Sequence, residues 1–209
     1  MSRVTLTGAR ASTAYGEFVA ADLARDLTTT GHVIVAGAAY GIEGAAHKAA
    51  LASDGTTIAV LPGGLDHPYP VGHTSLLEHV GASGLLLSEA APGSVPTRQS
   101  FVDRARIIAA LTAATVVVEA GSRSGSMRVA AEAAQLDRVV GAVPGPVTSA
   151  TSYGPHMLLR GERAHLVTCA DDITLLIRND AGSRRDTRIG HEAPALAAPR
   201  TASVAHRAM

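Results

Sequence analysis

Residues 101–126 read FVDRARIIAALTAATVVVEAGSRSGS. Phe101, Ile107, Ile108 and Leu111 suit one face of a helix, with Arg104 and Arg106 near its start. Thr115 to Val118 is a β-branched run too short for anything but a strand. That strand empties into glycines and hydroxyls, Glu119 to Ser126, before a second helix begins. A strand, a Gly/Ser loop and a helix start in this order form an anion site, because free backbone N–H groups and the helix dipole point at whatever sits there. The implied ligand carries phosphate.

The same alternation extends in both directions. Strands are predicted at Val4 to Thr7, His32 to Ala36, Thr57 to Leu61, Leu85 to Ser88, Thr115 to Val118, Val139 to Val143 and His165 to Thr168. Helices are predicted at Tyr15 to Thr29, Ile42 to Ala52, Thr74 to Val80, Phe101 to Thr112, Ser126 to Leu136, Tyr153 to Leu159 and Ala170 to Ile177. Near-continuous apolar strands separated by helices indicate a mainly parallel sheet buried on both faces. The fold class is α/β, doubly wound.

The chain has 209 residues, 46% of them hydrophobic, enough for one sizeable core. Residues 1–177 form the expected domain. From Arg178 onward the sequence becomes rich in Ala, Pro, Arg, Ser and Thr without periodicity, and Asn179 to Met209 reads as a disordered tail. Six arginines in 178–209 stand against Asp180, Asp186 and Glu192, so at zero overall charge the body carries the balancing acidic excess. A body of that sign is no general polyanion sponge; affinity for nucleic acid has to come from a local arginine cluster or the tail. The single cysteine, Cys169, excludes an internal disulfide framework, fits a reducing cytoplasm, and reads as a core filler beside a strand end. MSRVTLTGAR has no apolar signal core, and Ala105 to Val118 contains Arg106 and is too short to span a membrane. A cytoplasmic protein without membrane contact is expected.

In an open parallel sheet, ligands bind outside the carboxyl ends of the strands, near the point where strand order reverses. The loops there are Gly8-Ala9-Arg10-Ala11-Ser12, Gly37-Ala38-Ala39-Tyr40-Gly41, Pro62-Gly63-Gly64 through Tyr69-Pro70, Ser88-Glu89, Glu119 to Ser126, and Pro144-Gly145-Pro146. Arg10, Arg104 and Arg106 accompany them. Gly37 and Gly41 also suit turn and packing positions, and Pro62-Gly63-Gly64 also suits a plain turn. The nine histidines show no metal-ligand spacing, so neither a metal nor a cofactor is expected. G-x-S-x-G is absent, and Ser124 and Ser126 read as phosphate-binding hydroxyls.

Taken in order, Gly8-Ala9-Arg10, the run Ala36 to His47, the run Ile58 to Pro70, Ser88-Glu89, the helix from Phe101, Val117 to Ala120 with Ser124-Gly125-Ser126, and Val143-Pro144-Gly145 resemble the DNA-processing protein A family, DprA or Smf. The resemblance covers roughly residues 3 to 177. It implies an extended Rossmann domain in a non-enzymatic protein that binds single-stranded DNA, often as a homodimer, and helps load the RecA recombinase during natural transformation. Carried over by position, Arg10 would contact a DNA phosphate and Ser124, Gly125 and Ser126 would line the same pocket. Arg104 and Arg106 match the family's Arg-Asn-Arg, with Ala105 in place of the asparagine. Tyr40 and Glu43 replace the arginine and aspartate of an Arg-Gly-Ile-Asp run.

The expected phosphate-binding set is therefore Gly8, Arg10, Ser12, Gly37, Gly41, Gly63, Gly64, Arg104, Arg106, Ser124, Gly125 and Ser126, with Tyr40 or Tyr69 stacking on a base. A non-catalytic sensor or sequestering protein for a small nucleotide is the second reading. The third follows a more distant resemblance to the phosphoribohydrolases of the Lonely Guy type, which place a catalytic glutamate close after their glycine loop. Here Met127 and Arg128 follow Ser126, and Glu119 lies before the loop.

Overall fold

The fold, a computed structural model described over residues 1–189, is built on seven strands. They are β1 (Arg3–Thr7), β2 (Val33–Ala36), β3 (Thr57–Val60), β4 (Leu85–Leu87), β5 (Ala114–Val117), β6 (Val139–Ala142) and β7 (His165–Leu166). The helices are α1 (Ala14–Thr29), α2 (Ile42–Ala52), α3 (Thr74–Ser83), α4 (Arg98–Leu111), α5 (Gly125–Gln135), α6 (Tyr153–Arg160) and α7 (Ala170–Ile189). The strands lie in the order β4-β3-β2-β1-β5-β6-β7, and every pairing is parallel. This is the doubly wound, Rossmann-like α/β fold expected.

Burial on both faces explains why the strands read as apolar runs rather than alternating ones. On β5, Val116 packs with α1, α2 and α7 through Leu23, Ala46 and Ile173, while its neighbour Val117 packs with α4 and α5 through Ala109 and Ala130. Val35 and Val60 complete the second face against Ala105, Ile108 and Val129. Many core positions are alanine, which brings helix backbones close to the sheet.

The chain winds outward from β1 to β4, returns through α4, and winds outward again from β5 to β7. Strand order thus reverses between β1 and β5, where Leu6 pairs with Val116 and Thr7 with Val117. A crevice opens beyond these two strand ends, as crossovers that diverge in opposite directions require.

Helix α4 begins at Arg98, ahead of the predicted Phe101, because Thr97 and Ser100 form a reciprocal capping box. Helix α7 continues to Ile189, past the predicted boundary at Asn179. Residues 190–209 lie outside those described. Cys169 is exposed rather than core, since β7 is a two-residue edge strand with both residues exposed. No helix among the described residues is long and apolar enough to cross a membrane.

His47 is wholly buried on α2. Thr57 Oγ1 donates to Ile34 O at 3.1 Å, so it must accept from His47 Nδ1–H at 2.7 Å; Nε2 has no hydrogen-bond partner among the described residues. Burial pushes this imidazole down to about 4. Below the ordinary histidine value the unfolded chain takes up a proton that the fold refuses, so stability falls as pH drops from about 6.5 towards 4. At pH 5 the loss relative to pH 7 amounts to about 2 kcal/mol from this residue. Urea unfolding at the two pH values measures it, and His47→Gln, which keeps a donor but cannot ionise, is expected to flatten that part of the profile.

Candidate functional site

The crevice is a cleft of about 540 Å³ lined by Gly8, Ala9 and Arg10 after β1, by Phe101, Arg104 and Ala105 of α4, and by Gly121 to Ser126 after β5. Glu43, Val129 and Thr151 complete its wall. Helix α5 starts in the cleft, and its N-cap, Ser124, makes no side-chain capping bond. The Ser124 and Ser126 hydroxyls bond each other at 2.7 Å. The positive end of an eleven-residue helix, with two hydroxyls beside it, therefore faces the opening.

Arg104 reaches the cleft from beneath. It is 9% exposed, and its Nη1 donates to Gly37 O at 2.6 Å and Val60 O at 3.2 Å, at the ends of β2 and β3. Its Nε is buried without a hydrogen-bond partner among the described residues. Burial lowers its guanidinium below the ordinary arginine value; Glu43 opposes this and the nearby Arg10 adds to it. The Glu43 carboxylate accepts from Thr7 Oγ1 at 2.8 Å and Ala39 N at 3.0 Å, tying the loop after β2 to β1.

Arg106 is elsewhere. Two positions along a helix is more than half a turn, so it projects away from Arg104 and meets both oxygens of Glu89, at 2.7 and 2.6 Å, on the surface. The arginine pair read as one feature is one cleft residue and one surface ion pair.

The other predicted residues divide in the same way. Gly8, Arg10, Ser124, Gly125 and Ser126 line the cleft, whereas Ser12 donates to Glu17 at 2.7 Å. Gly37 makes room for Arg104, since a Cβ there would lie 2.5 Å from the guanidinium carbon. Gly41 has φ +75° and packs its α-carbon where a Cβ would meet Arg10 O at 2.6 Å, so it lets two loops approach closely. Gly63 and Gly64 support the segment from Ala91 to Pro96, away from the cleft. Tyr40 rests edge-on against His73 and accepts from Gly72 N at 3.1 Å; Tyr69 packs edge-on against Phe101 at 5.4 Å. Neither tyrosine lines the cleft.

The reading of the sequence missed Arg123 and the site role of Phe101. Arg123 lies within the quoted Gly/Ser loop and could have been found as its one cation. By apolar periodicity alone Phe101 is a helix core position, although its spacing of three from Arg104 places both on one side of α4. Both guanidinium groups lie over its ring, Arg10 at 5.0 Å and Arg104 at 5.3 Å.

Glu119 is occupied. It is 2% exposed, and its carboxylate accepts from Thr13 N at 2.9 Å, Thr13 Oγ1 at 2.6 Å and Thr151 Oγ1 at 3.0 Å. A carboxylate holding three donors is a brace between loops.

Fold and cleft together define a Rossmann-like domain with a cationic, helix-capped crevice at its switch point. The chain belongs to the DNA recombination-mediator protein A family, which matches residues 1–178. It is 56% identical over 168 residues to the Mycobacterium tuberculosis (strain H37Rv) protein that carries the DprA name, a match covering 80% of this chain and 43% of that relative. The chain thus spans less than half the length of that relative. Among solved structures, DNA processing protein A from Streptococcus pneumoniae superposes with a TM-score of 0.78 at 37% identity, over 84% of this chain and 61% of that one. DNA processing protein A from Helicobacter pylori, described by its single-stranded DNA binding mode, superposes at 0.76 with 28% identity, over 88% and 81%.

Arg104→Leu, which abandons two buried carbonyls, is expected to cost about 1–3 kcal/mol in urea unfolding. Arg106→Ala, losing an exposed pair, is expected to leave the midpoint at its wild-type value.

Proposed function

We propose that this protein binds single-stranded DNA through the cleft, and that it acts as a homodimeric, cytoplasmic mediator of RecA loading in DNA uptake or recombination. The observation that carries the binding reading is the convergence of Arg10, Arg104 and Arg123 with the α5 N-terminus on one cleft. A phosphodiester oxygen accepts from arginine and from unpaired helix N–H groups alike, and donors of both kinds face the same space. Arg10 and Arg123 have no ion-pair partner among the described residues, so they neutralise phosphate without first giving up a carboxylate. Family membership and the single-stranded DNA binding described for the Helicobacter pylori relative support the same reading.

The occupied carboxylate of Glu119, together with Met127 and Arg128 where a hydrolase would place its acid, supports a non-catalytic role. A mononucleotide is the second reading, favoured by one observation: about 540 Å³ is the size of a small-ligand pocket.

Fluorescence anisotropy with short single strands separates the two. Affinity for the strand is expected to weaken as salt rises, with Arg10→Ala and Arg123→Ala each lowering the slope of log K against log salt by about 0.7. A mononucleotide that binds as tightly as the strand would favour the second reading. No binding of either at low salt would sink both.

A further inference from the structure

We infer that the C-terminal part of α7, residues 178–189, is a second nucleic-acid contact: a basic arm that holds the phosphate backbone of a strand outside the cleft, at the opposite end of the sheet. The inference rests on the single-strand reading of the cleft and adds a surface that begins where the family match, residues 1–178, ends.

Helix α7 has two parts with different surroundings. Ala170, Ile173 and Ile177 are buried in the core with residues of α1, and Leu176 packs against it. Thr174 Oγ1 meets His32 Nε2 at 3.2 Å, just ahead of β2. All the strands run parallel, so their starts mark the end of the sheet away from the cleft, and α7 has reached that end by Thr174. Past Ile177 the helix leaves the core: Arg178, Asn179, Ala181 and Gly182 are exposed. From Arg178 to Ile189 it extends about 18 Å.

Composition changes at the same residue. The run RNDAGSRRDTRI, 178–189, sets Arg178, Arg184, Arg185 and Arg188 against Asp180 and Asp186, a net charge of +2, whereas residues 1–177 hold an acidic excess. Compensation of the helix dipole does not account for these cations, because that effect is confined to the last turn, where Asp186 offsets Arg188. Ala181 and Ile189 are the arm's apolar residues besides glycine, too few for an apolar stripe. A membrane surface and a hydrophobic groove both require such a stripe. A phosphate backbone requires only cations, and an arginine can donate to two phosphate oxygens at once. Separation of the two surfaces then makes binding depend on length. A strand that fills only the cleft gains nothing from the arm, while one that reaches both engages the second intramolecularly, at raised effective concentration.

The test is fluorescence anisotropy on the full chain with oligothymidylates of about six and about forty nucleotides. Replacing Arg184→Gln, Arg185→Gln and Arg188→Gln together is expected to weaken the long strand about tenfold at low salt and to lower its slope of log K against log salt by about 2, leaving the short strand unchanged. Lysine at the same three positions, which keeps the charge, is expected to restore the slope; glutamine and lysine are both good helix formers, so α7 is retained. Arg10→Ala is instead expected to weaken both lengths. Should the glutamine variant bind the long strand as wild type does, or lose both lengths equally, the arm is no separate contact and the inference is overturned. It is also overturned if those substitutions abolish flotation with phosphatidylserine vesicles and leave long-strand binding intact. A wild-type chain that binds the long strand but not the short one, with Arg10→Ala silent, would overturn the cleft reading alone.

Discussion

Glu119 stands at the junction on which the other loops depend. It leaves the end of β5 at the point where strand order reverses, and its main-chain carbonyl accepts from Ala9 N at 2.7 Å. Its carboxylate reaches Thr13, the N-cap of α1, and Thr151, in the segment after β6. One buried acid therefore ties together the loops after β1, β5 and β6. Burying a carboxylate is costly unless its lone pairs are met, and here three donors meet them. Gly16 completes the arrangement: any Cβ there would run into the Glu119 side chain, so α1 can approach only with glycine at that position.

With these loops tied, the cleft acquires its chemistry from geometry more than from charge. The body of the chain is acidic, yet the cleft mouth gathers Arg10, Arg104 and Arg123 with one helix N-terminus. Arg104 contributes from a buried position, held by carbonyls at the ends of β2 and β3. Low-dielectric surroundings make its charge felt more strongly at the cleft than a solvated arginine's would be. Glu43 sits beneath as the moderating acid, so the site is cationic at its mouth without being an exposed basic surface.

The element order was legible in the sequence because it rests on local patterns. Ile42 to Ala52 and the seven strand cores could be read from apolar runs and glycine punctuation alone, and α4 missed only its first turn, where the Thr97 and Ser100 cap was overlooked. Cys169 and the Arg104/Arg106 pair were misread for a common reason. Each was judged by its neighbours in sequence, whereas exposure depends on how far an element lies from the centre of the sheet and on which way a helix faces.

What the sequence determined by itself was the alternation of strands and helices, the parallel sheet it entails, and the presence of Gly/Ser loops at the strand ends. These follow from periodicities of two and 3.6 residues and from the backbone freedom of glycine, all of which act over short spans of chain. Only the tertiary structure decided that Gly37 makes room for Arg104, that Glu119 is a brace, and that Phe101 stands between two arginines. Those roles arise from contacts between residues far apart in the chain, such as Arg104 with Gly37 and Glu119 with Thr13. Strand order, which brings these residues together, is set by how the crossovers pack against the whole sheet.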